Sequence, residues 1–137
     1  MSLIEDLAHF EKAADEVLVG ADDLREHAFG PKPYVEIIVA ERDEQLVGAA
    51  LFYVKYSTWK GPALHLEDLI VAESERSRGV GSLLLEEVIT VARARGYRRV
   101  YWQVLDWNVD AIRFYERHGA EMDPHWINAY VDVDARP

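Results

Sequence analysis

Leu66-Glu67-Asp68-Leu69-Ile70-Val71, followed by Arg76-Ser77-Arg78-Gly79-Val80-Gly81 and the amphipathic stretch Ser82 to Arg95, decides how this chain is organised. An apolar run ending in β-branched residues reads as a strand, and the later stretch reads as a helix. Its apolar face carries Leu84, Leu85, Val88, Val91 and Ala92, and Gly96 is placed to stop it. A strand, a basic turn with glycines and a helix start, in that order, form an anion-binding arrangement. Backbone N–H groups converge at the turn, and the helix N-terminus adds partial positive charge. Gly79 and Gly81 let an anion approach the main chain closely. Taken alone, the turn is equally well read as a tight strand-to-helix connection with two arginines.

Outward from this stretch, Leu3, Ile4, Leu7, Ala8 and Phe10 recur at helical spacing, and a second short helix is expected over Asp22 to His27. Gly30-Pro31-Lys32-Pro33 stops it. Strands are expected over Tyr34–Glu41, Leu46–Tyr56 and Ala63–Val71, with turns at Arg42–Gln45 and Ser57–Pro62. Beyond the central helix, Arg99–Leu105 reads as a strand. Asn108 caps a helix that runs to about His118 and ends at Gly119. Trp126–Val133 reads as a last strand. The fold class is therefore α/β in the broad sense, an α+β mixed sheet. The strand–helix–strand unit in its middle should run parallel and right-handed.

The chain has 137 residues, enough for one domain with a substantial core. It has no cysteine, which excludes disulfides, thiolate metal sites and a cysteine nucleophile. The histidines show no ligand spacing, so no metal site is expected. A net charge of −10 argues against general nucleic-acid binding, and no apolar run approaches a membrane span. A basic turn in so acidic a chain marks an anion site, while the acidic remainder favours a cationic partner.

The turn Arg76-x-x-Gly79-x-Gly81 resembles the acetyl-CoA pyrophosphate loop of the GNAT N-acetyltransferases. Asn108-x-x-Ala111-x-x-Phe114-Tyr115-x-x-x-Gly119 resembles their second cofactor segment. Leu66-Glu67-Asp68, Tyr56-Ser57-Thr58-Trp59, Asp106-Trp107-Asn108 and Leu3-Ile4-Glu5-Asp6-Leu7-Ala8-His9-Phe10-Glu11 narrow the resemblance. They point to the diamine (spermidine/spermine) branch and its thialysine-acetylating relatives. The resemblance implies a mostly antiparallel sheet with one parallel pair, the fourth and fifth strands in the family's count, flanked by helices. It implies a single domain over 1–137 that lacks the family's first strand, a segment expected about twenty residues before Leu3 and read as trimmed. A cytoplasmic homodimer is implied as well.

For the chemistry, the resemblance implies acetyl-CoA as cofactor, CoA as product, and a small cationic amine as acceptor. Arg76, Ser77, Arg78, Gly79, Val80, Gly81 and Ser82 would cradle the pyrophosphate. Leu69, Ile70 and Val71 would offer backbone groups to the pantetheine arm, joined by Asn108 and Ala111. A bulge in this strand would aim one N–H, that of Leu69, at the thioester oxygen. An alkylamine of pKa ~10.4 is protonated at neutral pH. Glu67 is therefore the candidate general base, acting through a water. Asp68 would point to the opposite face if the strand is regular. With Glu11 and Glu67 it could hold the ammonium groups of a diamine. Tyr115 is the candidate acid for the departing thiolate, and Phe114 is expected in the core. Trp107, with Trp59 and Trp126, could wall an amine channel. His65 is read as structural. Transfer to a protein N-terminus or lysine remains an alternative, as does a non-catalytic acyl-CoA-binding module.

Overall fold

A computed structural model describes residues 1–134, so the domain end expected at Pro137 lies outside the described residues. Two compact units are taken in turn, Met1–Gln103 and the residues from Val104 onward.

In the first unit, helices α1 (Ser2–Phe10) and α2 (Ala21–Phe29) precede strands β1 (Glu36–Arg42), β2 (Gln45–Ser57) and β3 (Gly61–Val71). Helix α3 (Val80–Ala94) and the short β4 (Val100–Tyr101) follow. The sheet order is β1-β2-β3-β4, antiparallel except for the parallel β3–β4 pair. The mixed sheet expected from the sequence is the one observed. Asp43 and Glu44 close the β1–β2 hairpin with φ of 52° and 64°, in the left-handed region such two-residue turns require.

The two sheet faces are covered by different helices. On one face, Leu3, Ile4 and Leu7 of α1 and Leu24 of α2 pack against Ala49, Leu51 and Ile70. On the other, α3 lies over the sheet, and Phe52, Leu64, Leu85 and Val88 are fully enclosed. Gly48 sets how closely α3 approaches. A Cβ there would stand 3.0 Å from Val80 Cγ1, Leu84 Cδ1 and the Ile70 carbonyl oxygen. The first turn of α3 is thus seated on Gly48 of β2, the residue paired with Val71 at the end of β3.

Register pairing between β2 and β3 slips between Leu51 and Phe52. Leu51 pairs with Asp68 and Phe52 with Leu66, which leaves Glu67 as the extra residue of a β-bulge. β4 pairs with β3 only at Leu64 and His65. This corrects the longer strand expected over Arg99–Leu105: β3 bends at Glu67, and the ladder to β4 stops before that bend. Beyond His65, no described strand pairs with the β4 side of β3.

The second unit contains α4 (Val109–Arg117). The last strand expected over Trp126–Val133 is not formed among the described residues, and Trp126, Ile127, Tyr130, Val131 and Val133 are exposed. Aromatic and β-branched residues suit a strand. A strand also needs a hydrogen-bonded neighbour, which composition does not supply.

Candidate functional site

The basic turn begins where β3 ends. The Ala72 N–H donates to the Val47 carbonyl at 2.8 Å, tying the strand's end to β2. A short 3-10 turn, Glu73–Glu75, leads to Arg76. Ser77 and Gly79 then adopt left-handed backbone, with φ of 64° and 83°. Alternating handedness of this kind turns successive N–H groups toward one concavity. Gly79 is the N-cap of α3, so the helix starts at Val80 rather than at the expected Ser82. No side chain caps this terminus, and Leu83 is the first residue whose N–H bonds back, to the Gly79 carbonyl at 3.1 Å. The N–H groups of Val80, Gly81 and Ser82 precede that first helical bond, which makes them donors for an anion.

Charge around the turn is arranged by Glu75. Its Oε2 accepts from Arg42 Nε at 3.0 Å and lies 3.8 Å from Arg78 Nη1, with the carboxylate only 12% exposed. Arg78 itself is exposed, and the Arg76 guanidinium sits 5.9 Å from the Phe10 ring centroid. Glu75 was not singled out in the sequence. Its spacing from Arg78 is legible there, but its link to Arg42 across the hairpin is not.

The acidic end of β3 is shaped by the bulge. Paired residues in a sheet share a face, so Asp68 lies with Leu51 on the side covered by α1. In a regular strand it would have pointed away from that side, as the sequence reading supposed. The bulge instead groups Glu67 and Asp68 with Glu11, which follows the end of α1. Burial first, then the charges of Glu67 and Glu11, push the Asp68 carboxyl up to about 6. Burial also raises the Glu11 carboxyl. Glu67 is more open, with its carboxylate 57% exposed. Tyr53 stands nearby, its hydroxyl raised by burial and by the Glu67 charge. Leu69 pairs with Ala50, and Ile70 is buried, whereas Leu69 and Val71 are half-buried. Trp59 is exposed at the β2–β3 hairpin. Among the described residues, no group of three or more acidic or histidine side chains is arranged to hold a metal ion.

In the second unit, Asn108 Oδ1 accepts from the Ala111 N–H at 3.3 Å, the N-cap bond expected from the sequence. At the other end, His118 Nδ1 donates to the Phe114 carbonyl at 2.9 Å, and Gly119 turns the chain with φ of 85°. Tyr115 is half-buried, and its ring meets that of Phe114 edge-on at 5.2 Å. Phe114 was expected in the core; it is half-buried within an α4 that has no fully buried residue. Trp107 is 44% exposed, so it presents ring surface to solvent.

The acetyltransferase (GNAT) family model matches residues 4–120. The chain is similar to the thialysine N-epsilon-acetyltransferase of Bos taurus, 36% identical over 129 residues that cover 88% of this chain and 76% of that one. It is 38% identical over 116 residues to the Caenorhabditis elegans protein of the same name, covering 85% and 71%. Among solved structures, an aminoglycoside acetyltransferase from an uncultured soil metagenomic sample superposes with a TM-score of 0.77. That match covers 96% of this chain and 86% of the other at 17% identity, and it speaks to the fold alone.

Proposed function

Because the chain belongs to the GNAT acetyltransferase family and is an N-acetyltransferase, we propose that it transfers an acetyl group from acetyl-CoA to a primary amine of a small cationic substrate. The substrate class is a diamine, a polyamine or a lysine-like amino acid such as thialysine. One observation carries this reading. A single strand, β3, bears the Glu67–Asp68 carboxylates at its bulge and leads into the uncapped, glycine-bearing start of α3. Carboxylates suit a cation, and main-chain N–H groups at a helix start suit a pyrophosphate.

The residues fit the cofactor in kind. Val80, Gly81 and Ser82 would hold the pyrophosphate through their N–H groups, with Ser77 and Gly79 shaping the turn and Arg76 and Arg78 adding charge. The β4 side of β3, free of a strand partner past His65, would receive the pantetheine arm along Leu69, Ile70 and Val71. Acetyl-CoA supplies the acetyl group as a thioester. The Leu69 N–H would donate to the thioester oxygen, where negative charge grows as the amine attacks. Asn108 keeps its role as helix cap, with Ala111 beside it as the second cofactor segment. Tyr115 would give its hydroxyl proton to the leaving sulfur.

The amine reaches the enzyme as an ammonium ion. Glu67 would take its proton through a water, and Asp68 and Glu11 would hold the substrate's second positive charge. Trp107 would add ring surface to the amine's path. Transfer is then direct: the C–N bond forms as the C–S bond breaks, with no acyl-enzyme stage. Exposed Trp126, Ile127, Tyr130 and Val131 give the second unit apolar surface of the kind a homodimer would cover.

The test is CoA release from acetyl-CoA across diamines, polyamines, thialysine, lysine, aminoglycosides and basic peptides. Release with a small di- or polycation is the expected result. Release with peptides alone, or with none of these amines, would show the substrate class to be wrong.

A further inference from the structure

His65 stands next to Glu67 in space and has no part in the chemistry above. It lies on β3 opposite Tyr53 of β2 and beside Tyr101 of β4. Its ring is 5.0 Å from that of Tyr53, tilted by 32°, and its side chain is only 14% exposed. Nε2 is 3.6 Å from Glu67 Oε2. Nδ1 is buried and has no hydrogen-bond partner among the described residues. The charged and titratable groups around it come from several elements: Glu67 on its own strand, Tyr53 and Lys55 on β2, and Tyr101 on β4 with Arg99 just before it, while Asp68 and Glu11 belong to the same acidic cluster as Glu67. Lys55 Nζ sits 4.0 Å above the Tyr101 ring, and the Arg99 guanidinium lies 5.4 Å from it.

This environment favours a neutral imidazole. An imidazolium carries two N–H donors, and here the one at Nδ1 would be stranded in a buried site. Burial therefore holds the ring below its ordinary 6.5; the Glu67 charge works the other way, and Lys55 adds to the lowering. A neutral ring with its proton on Nε2 directs a dipole at the Glu67 carboxylate without an ion pair. A protonated ring would form one.

We propose that His65 is a positioning residue for Glu67: neutral, it orients the carboxylate and leaves it basic; protonated, it captures the carboxylate and takes it out of service. The proposal rests on the reading of Glu67 as proton acceptor. With neutral His65, the ammonium proton passes through water to the Glu67 carboxylate, giving a free amine and a carboxylic acid. The half-exposed acid then returns that proton to solvent. With protonated His65, Glu67 is paired to a cation and less basic. The added positive charge also opposes entry of a cationic amine.

The experiment is the pH profile of kcat, at saturating amine and acetyl-CoA, for the wild type, His65→Gln, His65→Tyr, Asp68→Asn and Glu67→Gln. His65→Tyr keeps an aromatic ring against Tyr53, which guards against loss of the fold. On the acid side, the wild type should fall with the ionisation of Glu67 itself and with those of His65 and Asp68, so that far below all three it loses about a thousandfold per pH unit. Each His65 variant and Asp68→Asn should lose about a hundredfold per unit instead. His65 profiles that superimpose on the wild type after scaling by a constant overturn the proposal, since a structural role lowers activity equally at every pH. If they superimpose while Glu67→Gln is impaired, the base assignment survives and only the role of His65 falls. If Glu67→Gln keeps full kcat, both fall.

Discussion

The basic turn and the acidic bulge lie on one continuous segment, Leu66 to Ser82, yet they are built from different material. The turn offers main-chain donors: Ser77 and Gly79 in left-handed backbone, then an α3 terminus that no side chain caps. The bulge offers side chains: Glu67 and Asp68, joined by Glu11 and watched over by His65. In the proposed reaction, main-chain donors would recognise what every substrate pair shares, the pyrophosphate of acetyl-CoA. Side-chain carboxylates would recognise what differs, the amine. The difference predicts that the two regions fail in separate ways, one through backbone conformation and the other through charge and pH.

The sharpest break is Glu67→Gln. It keeps the size of the side chain and removes the proposed proton acceptor, so kcat at saturating amine should fall by about a hundredfold or more. The Kd of acetyl-CoA, measured by calorimetry, should stay within about twofold. A parallel loss of cofactor affinity would mean that the bulge and the turn are not separable.

Asp68→Asn comes next and reads the same contrast through stability. A carboxyl raised in the fold stabilises it below the unfolded-state value of 3.8, and that contribution is lost as pH rises through about 6. At neutral pH the ionised Asp68 therefore opposes folding. Its replacement by Asn should raise stability at pH 7.5 by at most about 3 kcal/mol, a gain that disappears below about pH 4. Denaturant unfolding at the two pH values is the measurement. A variant less stable than the wild type at pH 7.5 would show that Asp68 makes stabilising contacts that outweigh its burial.

The sequence carried the turn better than the bulge. Gly79 and Gly81 beside arginines, after an apolar run and before an amphipathic helix, are local chemistry, and local chemistry is legible. Only the helix start was misplaced, because Val80 belongs to both the turn and the apolar face that seats on Gly48. The bulge leaves no such mark. Leu66-Glu67-Asp68 reads as regular alternation until β2 supplies a register, and the slip opposite Leu51 is what brings Asp68 to the side of α1. His65 and Glu67, two positions apart, could have been placed on one face from the sequence. The buried Nδ1 could not, since it depends on Tyr53 and the neighbouring strands. The stretches Arg99–Leu105 and Trp126–Val133 went wrong for a related reason. Their patterns specify a face, and pairing partners are tertiary facts.

The two smallest expected effects test the main-chain half of the comparison. Gly79 holds φ at 83°, and a Cβ placed on it meets nothing within 4 Å. A Cβ there meets no protein neighbour, so Gly79→Val acts through backbone preference and by crowding an anion's approach to the main chain. Holding a β-branched residue in the left-handed region costs roughly 1–2 kcal/mol. If the turn relaxes to avoid that cost, the N–H groups of Val80 and Gly81 lose their common aim. The Kd of acetyl-CoA should then rise about tenfold, the equivalent of some 1.4 kcal/mol, while the acid limb of the kcat profile keeps its shape. Arg76→Gln provides the contrast. It removes a solvent-facing charge from the same turn and should weaken binding only a few-fold, with the loss shrinking as salt is added. An Arg76 effect larger than the Gly79 effect would reverse the assignment, making the turn a side-chain site like the bulge.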